Sequence, residues 1–287
     1  MSKFRIVIVD DSPFSISILK DELEKKGHGV VGEATSLEET IEVVKKEKPD
    51  LVTMDMTLPG TDGLECTREI HKIDKNIKVV IVSSMMDDEI VNKAKEAGAL
   101  GYVQKPVNPE ELDTVIERLM AREELFEELE GMYFDVFKES FSNNLNRLAG
   151  TVPDYKEIVE SEGAQVSRGV SVVIGIIGKY SGRMIIDLSY DTAKKMSEIF
   201  LKRKSKGEKE DLAMSGEFAN MVAGNACSML NRKNKVFGFR VSPPTIFHGE
   251  SLKISKSSIK TISSVIETDF GEIYFSIGFT RGDIKWM

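Results

Sequence analysis

The chain is short of the residues that most often announce chemistry. It has two cysteines, Cys66 and Cys227, far apart and at no metal-binding spacing. A disulfide framework is therefore not expected, and free thiols in a reducing compartment are. Its three histidines, His28, His71 and His248, are scattered. That speaks against a His-built metal centre or a Ser-His-Asp triad. Positive charge is also short: the formal net charge is −8. Nucleic acid is a poor partner for such a chain, because phosphate backbones demand clustered Lys and Arg. No apolar run approaches the length of a bilayer span. The N-terminal MSKFRIVIVDDS meets two acids before a signal-peptide apolar region could form. A cytoplasmic protein without membrane insertion is expected. What the chain does have is 287 residues, 41% hydrophobic and 30% charged. That suits a soluble protein of two ordinary domains.

Residues 1–122 alternate short apolar runs with helical patterns. Phe4–Val9, Gly29–Ala34, Leu51–Met54, Lys78–Val82 and Gly101–Gln104 are short and rich in β-branched residues, which predicts strands. Helical spacing fills the intervals Pro13–Lys26, Ser36–Lys48, Asp62–Asp74, Asp87–Ala97 and Asn108–Arg122. Ser36 with Glu39 three residues on forms a capping box. Five strands alternating with five helices predict an α/β fold, a doubly wound parallel sheet covered on both faces. The binding crevice of such a sheet lies at the carboxyl ends of its strands.

Those ends carry an ordered set of polar residues. Asp10 and Asp11 end the first strand, Asp55 the third, Ser83 and Ser84 the fourth, and Lys105-Pro106 the fifth. Three carboxylates close together repel one another and need a cation to stay ionised. All-oxygen donors at one rim suit a hard divalent ion, Mg²⁺ first and Mn²⁺ second. IVIVDDS, PDLVTMDMTLPGTDG, VVIVSSM and GYVQKPV resemble the receiver domain of two-component response regulators, across essentially all of residues 1–122. The resemblance implies that Asp55 is phosphorylated by a histidine kinase of the CheA type. Asp10 and Asp11 would hold Mg²⁺ with Asp55 and the backbone carbonyl of Thr57. Ser83 and Lys105 would bind the phosphoryl group, and Tyr102 would change rotamer with Ser83. Mg²⁺ and a lysine neutralise phosphoryl charge, which is the chief demand of that chemistry.

Between Pro109 and Gly150 only Gly131 interrupts the helical pattern, so a long helix over about 108–148 is expected to span the junction of two domains, 1–122 and 123–287. Val115, Leu119, Arg122, Phe126, Leu129, Tyr133 and Val136 form a heptad-like seam. Two amphipathic helices meeting near Gly131 are the alternative. Past a polar loop at Gly150–Gly163, strands are expected at Gly169–Ile177, Arg183–Leu188, Val236–Val241, Thr245–Phe247, Lys260–Thr268 and Glu272–Phe279. Helices are expected at Leu125–Leu148, Asp191–Leu201 and Asp211–Leu230. Strands with few helices between them predict an α+β domain, with two long helices on a largely antiparallel sheet. The charged run KRKSKGEKED reads as a solvated loop.

One helix in this half is unusual. Wound at about 100° per residue, DLAMSGEFANMVAGNACSML sets Leu212, Phe218, Ala219, Val222, Ala226, Met229 and Leu230 on an apolar face. Roughly opposite stand Glu217 and Asn220, three residues apart and flanked by Ala213 and Gly224. By itself such a pair is ordinary solvated surface. SGEFANMVAGNACSML followed by FRVSPPTIFHGESLKI resembles the CheX proteins of the CheC/CheX/FliY group of chemotaxis phosphatases. The 22 residues Met221–Ser242 separate Asn220 from Pro243, the Asn-to-Pro spacing of that group. The group often has Asp or Ser four residues before the Glu, where this chain has Ala213. Glu139 and Asn143 on the preceding helix stand at a four-residue step, so a single Glu-x-x-Asn site is expected.

The resemblance implies hydrolysis of the aspartyl phosphate of a CheY-like receiver. Glu217 would pair with that receiver's lysine, and Asn220 would aim a water at the acyl phosphate. Action in trans, regulated by phosphorylation at Asp55, is the expectation. Discharge of the chain's own Asp55, in cis or across a dimer, is the alternative, and a non-catalytic docking or dimerisation module is a third. A DNA-binding regulator is disfavoured, since no helix-turn-helix with a basic recognition helix follows the first domain. A homodimer is expected by resemblance only.

Overall fold

In a computed structural model, residues 4–161, 165–254 and 259–281 are described. They fall into two compact units, one running through Leu125 and the other from Phe126.

The first unit alternates as expected: β1 (Arg5–Val9), α1 (Pro13–Lys25), β2 (Gly29–Ala34), α2 (Leu37–Glu47), β3 (Leu51–Asp55), α3 (Gly63–Ile73), and, either side of α4 (Asp88–Ala97), β6 (Lys78–Ser83) and β7 (Gly101–Gln104). A two-stranded ribbon, β4 (Thr57–Leu58) with β5 (Thr61–Asp62), links β3 to α3. The five main strands are parallel in the order β2-β1-β3-β6-β7. Helices on both faces explain why the central strands are apolar throughout rather than alternating. Ile8, Val52, Val80 and Val103 are all buried. The helices start where oxygen side chains can take a free N–H: Ser12, Ser36, Asp62 and Asp87 each accept from the residue three on. Glu39 closes the capping motif one residue early, on the Thr35 N–H and hydroxyl.

The helix past β7 is not continuous to residue 148. α5 (Pro109–Glu130) and α6 (Tyr133–Ala149) are separate, with Gly131 and Met132 between them. The Gly131 N–H still reaches the Glu127 carbonyl, but Met132 leaves the helical region at φ −133°. Glycine is the weakest helix former after proline, and the break falls there. The unit boundary lies within α5 rather than at residue 122. Leu119 is in the first unit's core, while Phe126, Leu129, Tyr133 and Val136 are buried in the second. Five of the seven seam residues therefore serve as core positions, while Val115 and Arg122 are half-buried.

In the second unit, β8 (Asp154–Ser161), β9 (Gln165–Ile177), β10 (Ser181–Leu188), β11 (Arg240–Val241), β12 (Thr245–Ile254), β13 (Thr261–Thr268) and β14 (Gly271–Thr280) form a seven-stranded sheet. All its pairings are antiparallel. The order is β11-β9-β10-β14-β13-β8, with β12 also on β9. α7 (Tyr190–Leu201) and the 26-residue α8 (Glu208–Lys233) complete it. Aromatic edges knit the layers: Phe141 of α6 meets Phe218 of α8 at 5.2 Å and Phe275 of β14 at 5.5 Å.

Three expectations are corrected here. The loop after Gly150 contains β8, an edge strand with little apolar alternation, which Ser263 and Ser264 help hold by hydrogen bonds to its carbonyls. Val236–Val241 is not one strand: Lys235–Phe237 is a 3₁₀ turn, and Gly238 at φ +58° redirects the chain into β11. Phe237 and Phe239 then stack at 5.2 Å. Finally, α8 begins at Glu208, inside the expected charged loop. Among the described residues no helix is long and apolar enough to cross a membrane.

Candidate functional site

Each unit brings one group of polar residues together. In the first, the carboxyl ends of β1, β3 and β6 and the residue following β7 converge. Asp10 and Asp55 are buried, at 1% and 6% exposure, while Asp11 faces solvent. Their three carboxylates each offer an oxygen within 4.8 Å of the others. Lys105 spans the crevice, its Nζ 2.8 Å from Asp10 Oδ2 and 2.7 Å from Asp55 Oδ1. Burial alone would lower the Lys105 pKa. Its hydrogen bonds to Asp10 and Asp55, with their charge, outweigh that and hold it above the ordinary lysine value. The remaining oxygens are turned by backbone N–H groups: Ser12 donates to Asp10 Oδ1 at 3.0 Å and Thr57 to Asp55 Oδ2 at 3.0 Å. An all-oxygen cluster with one balancing cation is a donor set that fits Mg²⁺.

Ser83 is buried at the end of β6 and its Oγ accepts from the Met85 N–H at 3.2 Å. The Tyr102 hydroxyl donates to the Met85 carbonyl. Ser83 and Tyr102 thus both bond to the backbone of Met85, one at its N–H and the other at its carbonyl. Met85 was not a sequence candidate, and its part is played by backbone, which no side-chain pattern announces. Gly63 was missed as well: a Cβ there would collide with the Asp55 carbonyl oxygen. Only glycine lets α3 start against the strand end that carries Asp55.

In the second unit the polar pair lies on α8. Its buried side holds Phe218, Ala219, Val222, Ala223, Ala226, Cys227 and Leu230. Two members of the expected apolar face, Leu212 and Met229, are only half-buried, and Asp211 and Ser215 are buried instead. Asp211 accepts from the Tyr190 hydroxyl at 3.2 Å, and Ser215 donates to the Asp211 carbonyl at 2.9 Å. Glu217 is exposed and Asn220 half-exposed. Among the described residues neither side chain has a hydrogen-bond partner. Ala213 is exposed beside them, and a Cβ on Gly224 would meet nothing within 4 Å. This stripe therefore faces open space.

The Asn-to-Pro spacing has a physical basis. After α8 the Asn231 amide donates to the Phe239 carbonyl at 2.9 Å and its oxygen accepts from the Phe239 N–H at 2.8 Å. The clamp returns the chain along the helix. Ser242 is pinned to Gly175 through both N–H and hydroxyl. Pro244 and Ile246 then abut Gly216, where an added Cβ would lie 2.9 Å from Ile246 Cδ1. The Pro-Pro segment is thus brought beside the residue that precedes Glu217.

Glu139 and Asn143 are both exposed on α6. The asparagine used in packing is Asn144, which is buried and bonded to the Ser140 carbonyl and to Asn225. Both cysteines are free and buried, which pushes the Cys66 thiol up to about 11 and the Cys227 thiol up to about 12.

Comparison with known proteins covers both units. The family described as response regulator receiver domain matches residues 6–117, and chemotaxis phosphatase CheX matches residues 170–267. The chemotaxis protein CheY of Thermotoga maritima is 44% identical over 105 residues, 37% of this chain and 88% of that protein. The CheY of Bacillus subtilis is 39% identical over 115 residues, 40% of this chain and 93% of that protein. Among solved structures, CheX from Vibrio vulnificus shares 25% identity at a TM-score of 0.46, covering 52% of this chain and 99% of that one. A chain of the CheX–CheY–BeF3–Mg complex from Borrelia burgdorferi shares 28% identity at a TM-score of 0.40, covering 41% of this chain and 89% of that one.

Proposed function

The chain belongs to the response regulator receiver family through residues 6–117 and carries a CheX domain at residues 170–267, and on that premise we propose that it is a two-component signalling protein in which a phosphorylatable receiver regulates an aspartyl-phosphate phosphatase. The observation that carries the reading is Glu217 and Asn220. They are the polar pair on the open stripe of a helix whose other side is core, and among the described residues neither side chain is engaged.

In the first unit Asp55 accepts a phosphoryl group from a CheA-like histidine kinase. Asp10, Asp11 and Asp55, with the Thr57 carbonyl, are the residues that would hold Mg²⁺. Bound there, the ion supplies neutralisation of charge on the transferring phosphoryl group. Lys105 would share that task and is already placed against Asp55 Oδ1. The Ser83 hydroxyl donates to a phosphoryl oxygen. Its Oγ can keep accepting from the Met85 N–H meanwhile, so Ser83 stays linked to Tyr102 through the backbone of Met85.

In the second unit Glu217 pairs with the active-site lysine of a separate phosphorylated CheY-like receiver. Asn220 enters the crevice and its amide aims a water in line with the acyl phosphate. The water oxygen bonds to phosphorus, the aspartate carboxylate leaves, and inorganic phosphate is released. Positioning is the principal need of this step. The short asparagine requires close approach, which Ala213 and Gly224 allow. The chain is also proposed to pair as a homodimer through its antiparallel sheet, whose edge strand β8 exposes Ile158 and Val159.

The test is release of phosphate from a phosphorylated CheY-like receiver by the full chain, with and without beryllofluoride on Asp55. Release that changes on loading, with no change in an Asp55→Asn variant, supports regulated action in trans. Release only of phosphate carried on Asp55 itself supports self-discharge instead. No release in either state refutes the phosphatase reading.

A further inference from the structure

The charged stretch between α7 and α8 is built, not loose. α7 ends at Lys202 in the left-handed region, φ 53°. Arg203 grips Glu210 of α8 with two bonds, Nη1 to Oε2 at 2.9 Å and Nη2 to Oε1 at 2.5 Å. The Lys206 N–H adds a third bond to Glu210 at 2.7 Å. The Arg203 guanidinium and that N–H hold the Glu210 carboxyl down to about 2. The Ser205 hydroxyl accepts from the Gly207 N–H at 3.1 Å. Gly207 sits at φ +126°, a conformation that favours glycine.

The result is a sorted set of charges. Arg203 is spent on Glu210, and Glu208 is paired with His248 at 2.7 Å. Lys202, Lys204, Lys206 and Lys209 are exposed, and among the described residues none forms an ion pair, though the Lys206 charge adds to what lowers the Glu210 carboxyl. Lys209 stands eleven residues before Asn220, about three full turns of helix, so the two share a stripe roughly 16 Å apart. Ala213 and Glu217 lie on the same side between them. Four exposed lysines, three of them in the stretch that Arg203 ties to Glu210, thus gather at the amino-terminal end of the helix that carries Glu217 and Asn220, in a chain of net charge −8.

A receiver's phosphorylation face has the opposite sign. The first unit shows the type: three carboxylates against one lysine, with Asp87 and Asp88 exposed just past Ser83. A phosphoryl group adds negative charge. We propose that Lys202, Lys204, Lys206 and Lys209 form a basic rim that captures the acidic phosphorylation face of a receiver and sets it on Glu217 and Asn220. This rests on the phosphatase reading and names what selects its substrate. Such complementarity acts mainly on encounter and register, so it belongs in kcat/KM and not in kcat.

The test uses the full chain and the phosphorylated Thermotoga maritima CheY as probe. Wild type is compared with the Lys202→Gln/Lys204→Gln/Lys206→Gln/Lys209→Gln variant and with its four-fold Lys→Arg counterpart. The glutamine variant is expected to lose about tenfold or more in kcat/KM at low salt, with kcat unchanged. The arginine variant keeps wild-type values. Wild-type kcat/KM falls steeply with salt and that of the glutamine variant does not, so the salt series of wild type alone tests the idea without any substitution. Equal kcat/KM in wild type and glutamine variant overturns the proposal. Calorimetric titration with the beryllofluoride-loaded probe separates the two readings. Salt-sensitive binding that needs the lysines, without hydrolysis, sinks the phosphatase and leaves the rim standing. No binding by wild type, or lysines that affect only binding to phosphatidylglycerol vesicles, overturns the rim.

Discussion

Lys105 Nζ lies 2.7 Å from Asp55 Oδ1, so a cation already faces the carboxylate proposed to carry the phosphoryl group. The same ammonium holds Asp10 Oδ2 at 2.8 Å. Removing it leaves two buried carboxylates and a third nearby without their balance. Lys105→Met is expected to destabilise the receiver unit by about 1–3 kcal/mol, a buried-pair cost discounted for the partly exposed ammonium. Urea unfolding without divalent cation measures it.

The same pair sets a pH dependence. The folded pKa of Lys105 is raised above its unfolded value, which is about 10.4. Its stabilising contribution is therefore fully present below that pH and is lost as pH climbs through the folded value. Between about pH 6 and about pH 9 the unfolding midpoints of wild type and Lys105→Met should run parallel, converging only above about pH 10.4. Convergence near neutrality would contradict the pairing.

Divalent cation should stabilise the first unit through Asp10, Asp11 and Asp55. At a Mg²⁺ concentration of about 100 times Kd the gain is about 2.7 kcal/mol. Asp11→Ala should weaken that gain while leaving the Lys105 contacts to Asp10 and Asp55 in place. Thermal melts with MgCl₂ and with EDTA check both.

Phe218 joins the α8 scaffold to α6 through Phe141 and is fully buried. Phe218→Ala should cost about 3–5 kcal/mol and abolish phosphatase activity by loosening the helix. Phosphorylation of Asp55 should persist, because that chemistry lies in the other unit.

The elements of the first unit were legible in the sequence almost to the residue, because its central strands are short apolar runs buried on both faces, and four of the five strands end at a candidate polar residue. The exposure of Glu217 and Asn220 on one side of α8 was legible from helical spacing, but that spacing alone did not set them apart from ordinary solvated surface. The width of the buried face was not legible. Asp211 and Ser215 enter it through hydrogen bonds to Tyr190 and to backbone, which periodicity does not register. β8 escaped because an edge strand wet on most of its surface has no apolar alternation to show. The turn at Gly238 and the Asn231 clamp escaped because they depend on one left-handed residue and on side-chain-to-backbone bonds eight residues apart.

The central claim is that Asn220 aims the water that discharges an acyl phosphate. Its most direct measurement is the decay rate of a phosphorylated CheY-like receiver with saturating full-length protein, wild type against Asn220→Ala, both verified as folded by circular dichroism. The account predicts that the substitution slows decay by about 100-fold, back towards the rate of the receiver alone, while binding of the beryllofluoride-loaded receiver through Glu217 is kept. Decay as fast with Asn220→Ala as with wild type would contradict it.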